Sequence, residues 1–357
     1  GQGFPSDKLQ TLASAAEIVE GTSVLNYYRF LSYFTRATYD FDSRYVFAVT
    51  VRADGSSRFG ENNRYGIFPS GSFGWVISNE EFLKKSKTVS LLKLRASYGI
   101  TGNAGIGNFD YKGLYAIGSY AAYSAIYPST IANPDLSWEK TAQANIGFDF
   151  GFYRDRLTGQ IDVYQKNTTD LLLEVPIPST TGFTVQTQNV GAMTNKGIEI
   201  SVTSENFVRD FTWSTSFNFA ANRNEVTELA DGQTLIDYGG SDFMNVIMVG
   251  QPVGVFYGAE FAGADPDNGD GLYYVNDPSG GDETTNDFNL ANFTVIGDPN
   301  PDFIAGITNN FGYKNIQLDV FLQGVYGNDV HLSGDYWMSS NASQWDNQTV
   351  DQLQAWQ

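Results

Sequence analysis

The sequence predicts an all-β fold, an antiparallel transmembrane β-barrel segment of about ten long strands with long extracellular loops. Three observations predict it: strict alternation of apolar and polar residues, unusual strand length, and connections that are short on one side and long on the other. Leu157, Gly159, Ile161 and Val163 line one face of a strand, and Thr158, Gln160, Asp162 and Tyr164 the other. The same period of two runs through 92–99, 211–219 and 316–323, and through Tyr45, Phe47, Val49 and Val51 opposite Thr50 and Arg52. It places strands near 25–41, 44–54, 67–78, 90–102, 138–151, 156–171, 191–204, 211–226, 302–313 and 316–327.

The connections justify the barrel. Asp42-Ser43, 153–155, 206–210 and 313–315 are tight turns, whereas 55–66, 103–137, 172–190 and 227–301 are long. Short turns on one rim and long loops on the other belong to an outer-membrane barrel, while a soluble sandwich has shorter strands and no such rule. By parity, 1–24, 55–66, 103–137, 172–190, 227–301 and 328–357 share the extracellular side, and the strand-like stretch Val253 to Phe261 belongs to a loop. The domain plan is a loop with a short helix over 1–24, wall strands with their loops over 25–327, and the start of a loop over 328–357. Leu9, Leu12, Ala13 and Ala16 give that helix its spacing. Residues 79–89 are a modest exception on the short side, where Ser78 and Glu81 are spaced as a capping box for one helical turn.

Charge follows the alternation. Arg36, Arg52, Lys93, Arg95, Asp149, Asp162, Lys166, Glu199 and Asp319 all fall on the polar faces of their strands. Exceptions such as Lys140, Lys196 and Arg223 lie near the long-loop ends, where a side chain would reach the interface. An outward charge at mid-height costs about 2–4 kcal/mol in a lipid-facing wall, so Ile161→Arg is expected to be costly and Asp162→Asn mild. Tyr27, Tyr45, Trp138, Trp213, Tyr313 and Tyr326 near strand ends are expected to form interfacial girdles. Asp54-Gly55 reads as a turn, and Gly147, Gly159 and Gly306 as places where other groups come close.

Composition removes other classes. The 357 residues include no Cys and one His, which excludes a disulfide scaffold, a Cys/His zinc site and a catalytic thiol. A net charge of -19 argues against nucleic acid, or an anionic membrane surface, as the main partner. No apolar run approaches the ~18 residues of a spanning helix. The chain opens on Gly-Gln-Gly and closes on Gln-Ala-Trp-Gln, and is expected to be an internal piece of something longer.

A colinear series of motifs resembles the SusC/RagA-like TonB-dependent outer-membrane transporters. It comprises Arg52-Ala-Asp-Gly-Ser-Ser-Arg-Phe-Gly60, Asn62-Asn-Arg-Tyr-Gly-Ile-Phe-Pro69, Leu92-Lys-Leu-Arg-Ala-Ser-Tyr-Gly-Ile-Thr-Gly-Asn103 and Asn133-Pro-Asp-Leu-Ser-Trp-Glu-Lys140. Asn189-Val-Gly-Ala-Met-Thr-Asn-Lys-Gly-Ile-Glu199, Gly297-Asp-Pro-Asn-Pro-Asp-Phe303 and Phe321-Leu-Gln-Gly-Val-Tyr-Gly-Asn328 continue it. The resemblance implies a mid-to-late segment of a barrel of about 22 strands, hence an open curved sheet, in the outer membrane of a Gram-negative bacterium. It implies import of oligosaccharides or peptides with a SusD-like surface lipoprotein and the TonB complex. Plug, TonB-contacting segment and last strands find no counterpart here. Outer-membrane lipid is then a partner, nucleic acid is not, and the protein is not an enzyme. The alternative is a soluble extracellular β-rich module with a calcium-stabilised acidic loop.

Candidate sites are few. Tyr111, Tyr115, Tyr120, Tyr123 and Tyr127 crowd one loop, and their rings suit stacking on a sugar. Residues 227–301 hold 13 Asp or Glu and no Lys or Arg. Within them Asp265, Asp267, Asn268 and Asp270 resemble a calcium loop, the sole cofactor suggested. An EF-hand register begun at Pro266 lacks its first ligand, and Asp277 stands where the bidentate Glu belongs. Asp329, His331 and Ser333 are close in sequence but carry no nucleophile-elbow pattern.

Overall fold

A computed structural model describes residues 25–120, 123–237, 245–275, 282–332, 334, 338–339 and 347–354. The expected helix within 1–24 lies outside the described residues. The wall strands run Phe30–Phe41, Tyr45–Ser56, Tyr65–Val76, Val89–Asn103, Glu139–Phe152, Leu157–Thr169, Ala192–Val208, Phe211–Glu228, Phe303–Tyr313 and Ile316–Tyr326. They form one 10-stranded antiparallel sheet in chain order. Its first and last strands each pair on one side only, so the sheet is open, a partial barrel. The connections alternate between two rims, the longest on one and the tight turns on the other, except that 77–88 on the tight-turn rim is longer than 57–64 opposite; Tyr153 and Gly263 lie at opposite rims.

Register turns the local alternation into two continuous rows. Trp75, Leu94, Phe148, Ile161, Ile200 and Phe219 are successive partners on the apolar face. One residue away, Gly74, Arg95, Gly147, Asp162, Glu199 and Ala220 make the matching row on the polar face. One face therefore suits hydrocarbon and the other a wet lumen.

Aromatic side chains gather on the apolar face at the short-turn rim. Tyr45 stacks on Phe73 and Trp75, each 6.5 Å away. Trp213 stacks on Phe207 at 5.9 Å and on Phe311 at 5.7 Å. A bulge between Glu205 and Phe207 puts Phe207 opposite Trp213, re-aiming its ring onto the apolar face. At the other rim Phe303 stacks on Phe219 and Tyr326. Tyr45, Trp213, Tyr313 and Tyr326 thus stand where girdles were expected. Two others do not: Trp138 is 3% exposed inside the loops, and Tyr27 meets Phe109 edge-on at 5.6 Å.

Between the third and fourth strands no capping box forms. Ser78 lies within a 3-10 turn, Ile77–Asn79, whose N-cap Val76 makes no side-chain bond. The anchor is Glu80, whose carboxylate accepts from Tyr45 Oη (2.7 Å), Trp75 Nε1 (2.9 Å) and Arg44 Nη1 (3.2 Å). The Tyr45 and Trp75 bonds, and then Arg44, hold this carboxyl below its ordinary value. Its stabilising contribution is present above the unfolded glutamate range and is lost as pH falls through the lowered value. Glu80→Gln in the full-length protein should flatten that acid limb in a tryptophan-fluorescence pH titration. An unchanged limb would contradict the anchoring role.

Asp54-Gly55 is not a turn either. Both residues lie within the second strand, and Gly55 pairs with Tyr65, whose ring lies where a Cβ would sit, 2.5 Å from Cε1. Gly55 makes room for an aromatic cover, while Asp54 accepts from Arg52 Nε at 2.7 Å.

Beyond the wall the loops interlock. Phe59, Phe68, Ile106, Leu136 and Trp138 form a buried cluster drawn from the first two long loops and the wall top. Asn63 Nδ2 donates to the Asp135 carbonyl, Asn133 Nδ2 to the Thr187 carbonyl and Asn189 Nδ2 to the Ser137 carbonyl. Val253 to Phe261 stays in the loop, its strand Val255–Gly258 pairing with Asn245–Met248 and Thr294–Gly297.

Candidate functional site

The polar face carries an ionic centre that alternation alone placed but did not pair. Arg95 Nε lies 2.9 Å from both Asp149 oxygens and Nη2 2.8 Å from Oδ1. Its other edge reaches Asp162, Nη1 to Oδ1 at 3.1 Å and Nη2 to Oδ2 at 2.9 Å. Gly147, between them in register, makes this possible, because a Cβ there would sit 2.5 Å from Asp162 Oδ1 and 2.6 Å from Arg95 Cζ. The guanidinium fork suits two carboxylates at once. Asp162 is therefore an ion partner, not a solvated residue, and Asp162→Asn breaks a cluster.

Arg95→Ala leaves Asp149 and Asp162 facing one another without their cation. It should cost about 2–3 kcal/mol, between an exposed pair and a buried one. Urea unfolding of the full-length protein measures it, and adding Asp149→Asn should restore part of the loss. Additive losses would deny the coupling.

Around this centre the wall offers hydrogen-bonding groups. Tyr164 Oη donates to Asn222 Oδ1 at 3.1 Å, Asn222 Nδ2 to Asn195 Oδ1 at 3.1 Å, and Lys166 Nζ lies 5.0 Å over the Tyr164 ring. Tyr164 and Lys166, with Glu199 and Gln160, border a concavity of about 550 Å³ that also takes in Arg95, Asp149 and Asp162. A second, of about 710 Å³, lies nearer the long loops beside Arg52, Asp54, Phe68 and Trp138. This chemistry is charge and hydrogen bonding, suited to binding.

The sequence-predicted tyrosines do not converge. Tyr111 packs half-buried against the loop cluster, with Lys112 Nζ 5.4 Å over its ring. The others fall on a hairpin, Tyr115–Tyr120 with Tyr123–Pro128. Tyr123 and Tyr127 share one face, both exposed, and Tyr127 Cε1 covers Gly118; Tyr115 is on the opposite face. The side chain of Tyr120 lies outside the described residues.

The acidic turn closes on itself. Asp265 Oδ1 accepts from Asp267 N, Asn268 Oδ1 from Asp270 N, and Asp270 Oδ2 from the amides of Asn268 and Asn286. Among the described residues no group of three or more His, Asp or Glu side chains is gathered at this turn. Asp329 Oδ2 accepts from Asp298 N, His331 lies against Phe256, and Ser333 is outside the described residues.

The family model described as TonB dependent receptor-like, beta-barrel matches residues 5–246. The chain belongs to the TonB-dependent receptor β-barrel family. It is 36% identical to TonB-dependent receptor P3 of Formosa agariphila over 97% of the chain and 36% of that protein. It is 36% identical to the TonB-dependent receptor SusC of Bacteroides thetaiotaomicron over 93% of the chain and 34% of SusC. The solved RagAB peptide transporter superposes with a TM-score of 0.77 at 35% identity, over 90% of this chain and 36% of the other. The chain thus spans about a third of the length of these relatives. It is wall of a SusC/RagA-type TonB-dependent outer-membrane receptor of a Gram-negative bacterium. Family and apolar wall together set aside the soluble module.

Proposed function

We propose that this TonB-dependent receptor wall serves an importer that takes up oligosaccharides or peptides with a SusD-like surface lipoprotein, powered by the TonB complex. The observation that carries the reading is near-complete colinear similarity to SusC and to one chain of the RagAB peptide transporter. The Tyr164, Asn195 and Asn222 ladder supports it, because neutral amides and a phenol hydrogen-bond equally to sugar hydroxyls and peptide backbones. Tyr123 and Tyr127 are the stacking faces proposed for a ligand arriving at the loops.

The test uses the full-length protein in its own membrane. Detergent extraction of the tagged protein should bring a surface lipoprotein with it, and deleting the gene should abolish uptake of labelled oligopeptides or oligosaccharides. Which labelled pool fails names the substrate class. Unchanged uptake of both, with no lipoprotein recovered, would overturn the reading.

A further inference from the structure

The net charge of -19 hides a separation between the two rims. The long connections (57–64, 104–138, 170–191 and 229–302) hold three Lys or Arg against eighteen Asp or Glu. The short ones (42–44, 77–88, 153–156, 209–210 and 314–315) hold eight Lys or Arg against five Asp or Glu. Some of these cations are engaged: Arg44 with Asp42 and Glu80, Lys84 with Glu81, and Arg156 with the Glu205 and Asn206 carbonyls. Lys85, Lys87, Arg154 and Arg209 are exposed and make no ion pair among the described residues.

A second, independent observation fixes their height. The rim bearing these cations is the rim of the aromatic belt around Tyr45, Trp75 and Trp213. Lys314 Nζ sits 5.2 Å over the Tyr313 ring and Arg44 Cζ 5.9 Å over Tyr45, directly at that belt. Phe82, 73% exposed between Glu81 and Lys84, adds an apolar side chain to the basic turn. Cations just beyond a ring of interfacial aromatics meet lipid headgroups, and short turns of such barrels face the periplasm.

We propose that the short-turn rim binds anionic phospholipid headgroups of the periplasmic leaflet through Lys85, Lys87, Arg154 and Arg209. A single soluble acidic partner fits less well, because these cations are spread over three turns along the sheet rather than gathered in one patch. The opposite rim, with its excess of carboxylates, repels the same headgroups, so the contact also favours one orientation of the wall. The proposal rests on the outer-membrane assignment and is independent of the substrate.

The test is native mass spectrometry of the full-length protein, equilibrated in detergent with equal amounts of phosphatidylglycerol and phosphatidylcholine. Wild type should retain phosphatidylglycerol over phosphatidylcholine by at least about threefold, with the preference lost in high salt. Lys85→Gln/Lys87→Gln/Arg154→Gln/Arg209→Gln should retain the two lipids equally, while Arg64→Gln/Lys112→Gln at the other rim keeps the preference. Heat-modifiable gel mobility checks folding. Should the fourfold variant not fold, Lys85→Gln/Lys87→Gln and Arg154→Gln/Arg209→Gln are read separately, each reducing the ratio. Equal retention by wild type, or an unchanged ratio in the folded variants, overturns the proposal. Neither result touches uptake, so the importer reading fails or stands apart from this one.

Discussion

Phe217→Arg in the full-length protein is expected to cost about 2–4 kcal/mol, whereas Asn218→Arg, one residue on, is expected to be close to neutral. The two side chains occupy the same strand at the same depth and differ in face. Phe217 pairs with Val202 and Ile307, between the aromatic stack at Trp213 and the one at Phe303. A guanidinium there enters the apolar band. Asn218 opens onto the polar face, bordering a concavity with Asp162 and Glu199, so an added cation finds water and two carboxylates. Ile161→Arg should behave as Phe217→Arg does, because Ile161 pairs with Phe148 and Ile200 on the same face. Folding yield into detergent and urea midpoints measure all three. Equal losses at Phe217 and Asn218 would mean that the facing assignment is wrong.

Legibility in the sequence divided along a physical line. The ten wall strands were readable because a period of two is local: each strand declares its faces within six or eight residues, and Ile161 and Asp162 were assigned correctly from neighbours alone. Pairing is not local. Arg95, Asp149 and Asp162 were visible as inward charges, but their convergence depends on the register that sets Arg95 against Gly147 and Gly147 against Asp162. Gly147 was the available signal, a glycine mid-strand between charged neighbours' rows, and only the fold says which groups fill its space. The misread positions share a cause. Asp54-Gly55 and Trp138 have strong local preferences, for a turn and for an interface, that long-range packing overrides: Tyr65 covers Gly55, and Phe30, Phe59 and Phe68 enclose Trp138. How the tyrosines of that loop divide was not legible, because crowding in sequence becomes alternation on a hairpin, which sends Tyr115 and Tyr123 to opposite faces.

Residues 1–357 expressed alone are expected to aggregate in water and to need detergent. The sheet has two open edges, Phe30–Phe41 and Ile316–Tyr326, each presenting a row of unpaired backbone N–H and C=O groups. Within hydrocarbon each unsatisfied group costs several kcal/mol, which is why closed barrels, and not open sheets, cross membranes. In water the edges template pairing with other copies, and the apolar face adds a patch far larger than soluble monomers carry. Leu318, Leu322 and Val325 on the last strand and Leu31, Tyr33 and Tyr39 on the first are already exposed. Among the described residues the interlocked loops do not relieve this, because their buried clusters gather at the top of the wall and add no strand to either edge. Size-exclusion chromatography with and without detergent decides the matter. A monodisperse detergent-free monomer with a cooperative melt would show that the edges are satisfied by some other means, and the open-wall account of this chain would have to be abandoned.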